Sequence, residues 1–74
     1  MEIPKFVKLG HTALRLTGKT YYRDGGQWSV KYKIVDGVLL SSDRTMPWLD
    51  NKPLIEITEG EWRKDNEPYA PNGV

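Results

Sequence analysis

From Trp28 to Ile34 every second side chain is large and apolar, and the residues between are serine or lysine (Trp28-Ser29-Val30-Lys31-Tyr32-Lys33-Ile34). A strand sorts such a pattern, because successive side chains point to opposite faces. Trp28, Val30, Tyr32 and Ile34 are therefore expected on a core face, and Ser29, Lys31 and Lys33 on a face that is not core. This constrains the chain to a β fold and places cations on one side of it.

The remaining sequence reads the same way. Residues 5–9 form an expected first strand between Pro4 and Gly10, and residues 12–22 a second, with Leu14, Leu16, Thr20 and Tyr22 on one parity. Arg23-Asp24-Gly25-Gly26 marks a turn, residues 27–35 a third strand and residues 38–41 a fourth. Asp36-Gly37 between them has the residue types of a type I′ hairpin, in which both positions adopt positive φ. Directly opposed residues of an antiparallel pair share a face. A three-residue loop, Asp24-Gly25-Gly26, then sets Tyr22 against Trp28, Thr20 against Val30, Gly18 beneath Tyr32 and Leu16 against Ile34. It also sets Lys19 opposite Lys31 and Thr17 opposite Lys33. In the second hairpin Ile34 pairs with Leu39 and Val35 with Val38. Val35, Val38 and Leu40 then fall on the wet face, so that end of the sheet is expected to be covered, by the chain curling into a small barrel or by a partner.

Residues 41–53 read as a long loop carrying Met46, Trp48 and Leu49, and residues 54–57 as a short fifth strand. Thr58-Glu59-Gly60-Glu61 matches a capping box, in which hydroxyl and carboxylate satisfy each other's backbone N–H groups; it opens a short helix through Trp62 and Lys64. The polar stretch 65–74 reads as a flexible tail. The expected architecture is one mainly β domain over residues 1–64: an antiparallel sheet of about five strands, curled or barrel-like, with one short C-terminal helix. Its expected core is Phe6, Leu14, Leu16, Tyr22, Trp28, Val30, Tyr32, Ile34, Leu39, Ile55, Ile57 and Trp62.

Seventy-four residues allow one domain, and a chain of this length buries only about 60% of its unfolded surface. The absence of cysteine removes disulfides, thiolate ligands and thiol nucleophiles, and suits a reducing, cytoplasmic setting. Met1-Glu2-Ile3-Pro4-Lys5 carries no apolar run of a secretory signal, and no stretch approaches the roughly 18 apolar residues of a membrane span. Residues 1–37 hold seven Lys/Arg against three acids, and residues 38–74 four against seven. The surface is therefore expected to be bipolar, with one basic face.

No catalytic constellation emerges. Residues 13–20 (Ala13-Leu14-Arg15-Leu16-Thr17-Gly18-Lys19-Thr20) resemble a relaxed phosphate loop, but that motif needs a helix after it, and the Asp-Gly-Gly turn follows too soon. His11 is the only histidine and reads as a turn residue without metal-ligand companions. Glu56, Glu59 and Glu61 form an acidic cluster; paired carboxylates hydrolyse glycosides only across a substrate cleft, and helix capping explains these three without one. No cofactor or metal is expected, and the chain reads as a non-enzyme.

Two binding readings remain. Met46, Trp48 and Leu49, with Val35, Val38 and Leu40, are candidates for a protein-binding surface, since Trp and Met are enriched at interface centres. That suits an accessory regulator or inhibitor of phage or mobile-element type, whose partner is an unidentified protein. Arg15, Lys19, Tyr21, Lys31 and Lys33 are candidates for a nucleic-acid face of cations with one stacking aromatic. A monomer, or a dimer paired through edge strands, is compatible with either reading.

Overall fold

The structure is a computed structural model that describes residues 2–23 and 28–66. It is mainly β, with six antiparallel strands: β1 (Phe6–Leu9), β2 (Thr12–Thr17), β3 (Thr20–Arg23), β4 (Ser29–Val35), β5 (Val38–Ser42) and β6 (Ile55–Glu56). One helix, α1 (Glu59–Asn66), follows. The sheet order is β5-β4-β3-β2-β1-β6. Residues after β5 return along its free edge: Ser41 N–H donates to the Lys52 carbonyl at 2.8 Å, and Leu54 N–H to the Leu39 carbonyl at 3.1 Å. Pro53 bridges Leu40 between them. Because the next residues, β6, pair with β1, the sheet curls into a nearly closed barrel, and closure protects edges that would otherwise pair with other chains.

The expected second strand is two strands. Gly18 and Lys19 form a tight turn in which Thr17 faces Thr20, with Gly18 at a φ of 66° that glycine adopts without steric cost. A two-residue turn inverts parity, because residues n and n+3 then share a face. Leu14 and Leu16 therefore face the core from β2, but Tyr21, not Tyr22, does so from β3: Leu16 opposes Tyr21 and Arg15 opposes Tyr22. A second inversion follows. Tyr22 opposes Ser29 and Tyr21 opposes Val30, with Arg23 N–H donating to the Trp28 carbonyl at 3.2 Å. Four residues, 24–27, thus lie between Arg23 and Trp28 where a three-residue loop was expected; those four lie outside the described residues. The two inversions cancel for β4, so Val30 and Tyr32 face inward as the alternation requires. The expected pairings of Tyr22 with Trp28, Thr20 with Val30 and Lys19 with Lys31 do not form, and Gly18 lies in a turn rather than beneath Tyr32.

The second hairpin has the expected geometry. Ile34 opposes Leu39 and Val35 opposes Val38, with Asp36 and Gly37 at φ of 52° and 80°, the signs a type I′ turn demands.

The buried core comprises Val7, Leu9, Leu14, Tyr21, Val30, Leu39 and Leu54, with Leu16, Trp28, Tyr32 and Leu49 packed against it. Tyr21 is fully buried. Its ring meets Tyr32 edge-on at 5.7 Å, and its hydroxyl donates to the Pro4 carbonyl at 2.6 Å. Burial first, then Tyr32 and Glu56, pushes this phenol up to about 12, which keeps the donor protonated. Three expected core residues are exposed: Tyr22, Ile34 and Ile55. Tyr22 follows the inverted parity. Ile34 lies beyond Lys31, the last β4 residue paired with β3, where β4 and β5 continue as a two-stranded ribbon. Ile55 sits opposite Lys8, on the outer side of β6.

Phe6 is also on the outer face, where α1 covers it. The capping box forms as expected: Glu61 N–H donates to Thr58 Oγ1 and Thr58 N–H to Glu61 Oε1, both at 3.1 Å. It starts the helix so that Trp62 lies 5.3 Å from the Phe6 ring, with the Arg15 guanidinium 5.0 Å over its own ring. Asp65 Oδ2 accepts the Ala13 N–H at 3.2 Å. Asp65 and Asn66 therefore belong to the helix and not to the expected tail; residues 67–74 lie outside the described residues. No helix among the described residues is long and apolar enough to cross a membrane.

Candidate functional site

The loop after β5 is built from short-range polar bonds that its sequence supplies. Asp43 Oδ1 accepts the Thr45 N–H, the Thr45 hydroxyl and the Met46 N–H, each at 2.9 Å. These donors, Met46 N–H foremost, hold the Asp43 carboxyl below its ordinary range. Leu49 N–H returns to the Met46 carbonyl at 2.8 Å, closing a single 3-10 turn over Pro47–Leu49. Asp50 Oδ1 then accepts the Asp43 N–H at 2.9 Å and Lys33 Nζ at 3.3 Å. The Asp43 N–H first, and Lys33 after it, lower the Asp50 carboxyl. Beneath the loop lies Ser41, fully buried. Its hydroxyl donates to the Leu49 carbonyl and accepts the Lys52 N–H at 2.9 Å.

This framework points Leu49 toward the core and Trp48 away from it. Trp48 is 67% exposed, the most exposed of the large hydrophobic side chains described. Met46, two residues before it and tied through its N–H to Asp43, is also exposed. Of the other protein-binding candidates, Val35 and Val38 face each other at the free end of the β4–β5 ribbon, and both are exposed. Leu40 is half-buried through its bridge to Pro53. The chain thus covers one end of this apolar strip and leaves the other bare. Leu49 belongs to the core margin.

The basic residues do not form the expected strip. Tyr21 is inside the barrel. Lys19 is in the Gly18–Lys19 turn, away from the strand rows. Arg15 lies over Trp62, and Lys33 is paired with Asp50. Lys31 remains on the outer face opposite Thr20 and Ser42. There it lines a depression of about 700 Å³ with Thr20, Tyr22, Ser29, Ser42, Asp43 and Arg44. Tyr22 and Arg44 were missed as candidates. Tyr22 was hidden by its equally large neighbour Tyr21, and the turn parity alone distinguishes them. Arg44 reaches the depression only because the loop folds back beside β5.

Residues 13–20 pass through β2 and a turn directly into β3, so no helix follows the phosphate-loop-like segment. His11 is exposed in the Gly10–His11 turn. Glu59 pairs with Arg63 at 2.8 Å, and Glu61 caps α1, which accounts for two of the three clustered acids. Among the described residues no group of three or more His, Asp or Glu side chains is arranged to hold a metal ion. Compared with known protein families, with curated proteins and with solved structures, the chain matches none.

Proposed function

We propose that this protein is a non-enzymatic binding module that engages a protein partner through Trp48 and the loop that presents it, as a small regulator or inhibitor of a larger protein would. The observation that carries this reading is the pairing of an exposed indole with a pinned loop. A tryptophan left in water forgoes burial worth about 2 kcal/mol or more, while Asp43, Asp50 and Ser41 hold its backbone in place. Loss of loop freedom is a main cost of association, so a loop ordered beforehand gives up less on binding. Tryptophan is also the residue type most enriched among binding hot spots. Affinity capture from lysate of the source cells, with a nuclease-treated control, tests the reading. The wild-type chain is expected to retain a protein that folded Trp48→Ala loses; equal retention by both chains would sink it.

The outer depression supports a second reading, nucleic-acid binding on a revised set of residues. Lys31 and Arg44 can meet phosphates, hydroxyls surround them, and the exposed Tyr22 ring offers a stacking face. Titration with labelled single-stranded DNA and RNA at two salt concentrations decides it. Affinity that falls steeply with salt and is lost in Tyr22→Ala supports the reading; no binding at low salt removes it.

A further inference from the structure

Leu49, the residue that follows Trp48, also lines a separate groove of about 610 Å³, together with Pro53, Ile55, Ile57, Lys8 and Lys52. Ile55 is 58% exposed, although it lies in a strand and its cross-strand partner is Lys8. Pro53 is exposed and Ile57 half-buried. The groove therefore presents branched aliphatic surface to solvent. Every charged side chain among the described residues lining it is a cation, in a chain whose formal net charge is only +1. An apolar hollow with cations at its rim complements a ligand with the opposite arrangement, an apolar group flanked by carboxylates. Such charges choose the partner and speed its arrival, while the apolar contact holds it.

We propose that this groove takes an extended acidic segment of the partner protein. One apolar side chain of that segment seats among Leu49, Pro53, Ile55 and Ile57, and neighbouring Asp or Glu side chains face Lys8 and Lys52. The proposal rests on the protein-binding reading of Trp48 and names the chemistry of its partner. A peptide is favoured over a fatty acid, which shares the carboxylate and the apolar body, because the groove and the exposed indole are joined by one residue step, Trp48 to Leu49. A segment that covers Trp48 can continue into the groove, and a lone acyl chain would leave the indole bare.

The test is selection of random displayed peptides on the full chain, followed by binding measurements with one selected, fluorescently labelled peptide. Selected peptides are expected to carry an apolar residue flanked by Asp or Glu. Ile55→Glu should weaken binding by about tenfold or more. The double change Lys8→Glu with Lys52→Glu should weaken it by about tenfold and flatten its salt dependence. Ile55→Ala, which adds no charge, serves as the second variant if Ile55→Glu does not fold. Selection of peptides without acidic residues overturns the proposal, as does an acidic peptide whose affinity neither groove variant moves. Laurate binding with no peptide selected also overturns it. If Trp48→Ala abolishes partner capture while the groove variants leave capture unchanged, the groove assignment fails and the Trp48 reading stands. If Trp48→Ala leaves capture intact but the groove variants abolish peptide binding, the Trp48 reading fails and the acidic-peptide groove survives it.

Discussion

Trp48 and Trp62 both sit on short helical segments, one a 3-10 turn whose preceding residues are bound by Asp43 and the other a helix capped by Thr58, yet the first is 67% exposed and the second 9%. The difference comes from what lies beneath each turn. Under α1 the outer face of β1 and β2 presents Phe6 and Arg15, which receive Trp62, and Asp65 ties the helix to the Ala13 backbone. In the 3-10 turn the inward position is occupied by Leu49, and the loop's order comes from Ser41, Asp43 and Asp50 binding its backbone. One tryptophan therefore holds its segment down, and the other is held up by its segment. The Pro47–Leu49 loop keeps its backbone bonds without burying its indole, whereas α1 is seated through its own.

Four measurements can break or sharpen this contrast. The largest effect is expected from Trp62→Ala, which removes the buried ring under α1 and should cost about 3 kcal/mol in chemical denaturation. A loss below about 0.5 kcal/mol, the range of ordinary surface changes, would show that α1 is not held by its tryptophan. Ser41→Ala comes next. It strips a buried hydroxyl from the Leu49 carbonyl and the Lys52 N–H, and should cost about 2 kcal/mol. It should also increase hydrogen exchange at Lys52; unchanged exchange would mean that Ser41 does not pin the loop.

Acid should act on the Trp48 loop through Asp43 and Asp50. Their carboxyls are lowered in the fold, so their contribution is present above the unfolded value of about 3.9 and is lost as pH falls through the lowered folded value. The Thr45 and Met46 amide resonances, whose N–H groups donate to Asp43, should shift in that window. The Trp62 indole, packed on the Phe6 ring and under the Arg15 guanidinium, should keep its resonance position. Parallel shifts at both places would contradict separate control of the two turns. The smallest effect on stability is expected from Trp48→Ala, within about 0.5 kcal/mol of wild type. A cost comparable to that of Trp62→Ala would place Trp48 in the fold's framework and remove it as a binding anchor.

The parts of the fold legible in the sequence were those whose interactions close within a few residues. The Thr58–Glu61 capping box and the Asp36-Gly37 turn each bond or bend locally, and both formed as their residues require. The alternation in β4 held as far as Tyr32. The Gly18-Lys19 turn was hidden because Thr20 and Tyr22 continue the parity of Leu14 and Leu16, so the run looks unbroken. Two tyrosines in succession, Tyr21 and Tyr22, gave no local reason to prefer either for the core. The missed inversion there and the missed change of register between β3 and β4 cancelled, so β2 and β4 came out correctly oriented while β3 did not. For the site, Trp48 was legible as a candidate and its exposure was not. The groove at Ile55 and the depression at Tyr22 were not legible, since each joins residues more than twenty positions apart.

By itself, then, the sequence determined the β class, the Asp36-Gly37 hairpin register and the capped helix, because those depend on φ preferences, side-chain alternation and bonds between near neighbours. Tertiary structure decided which face of β3 is inside, which tryptophan is covered and where the cations stand. Those outcomes depend on barrel closure: the return of residues 52–54 onto β5, the pairing of β6 with β1 and the seating of α1 on Phe6. Each is a contact between distant segments, and its energy is set by what the other segment presents, which no local pattern encodes.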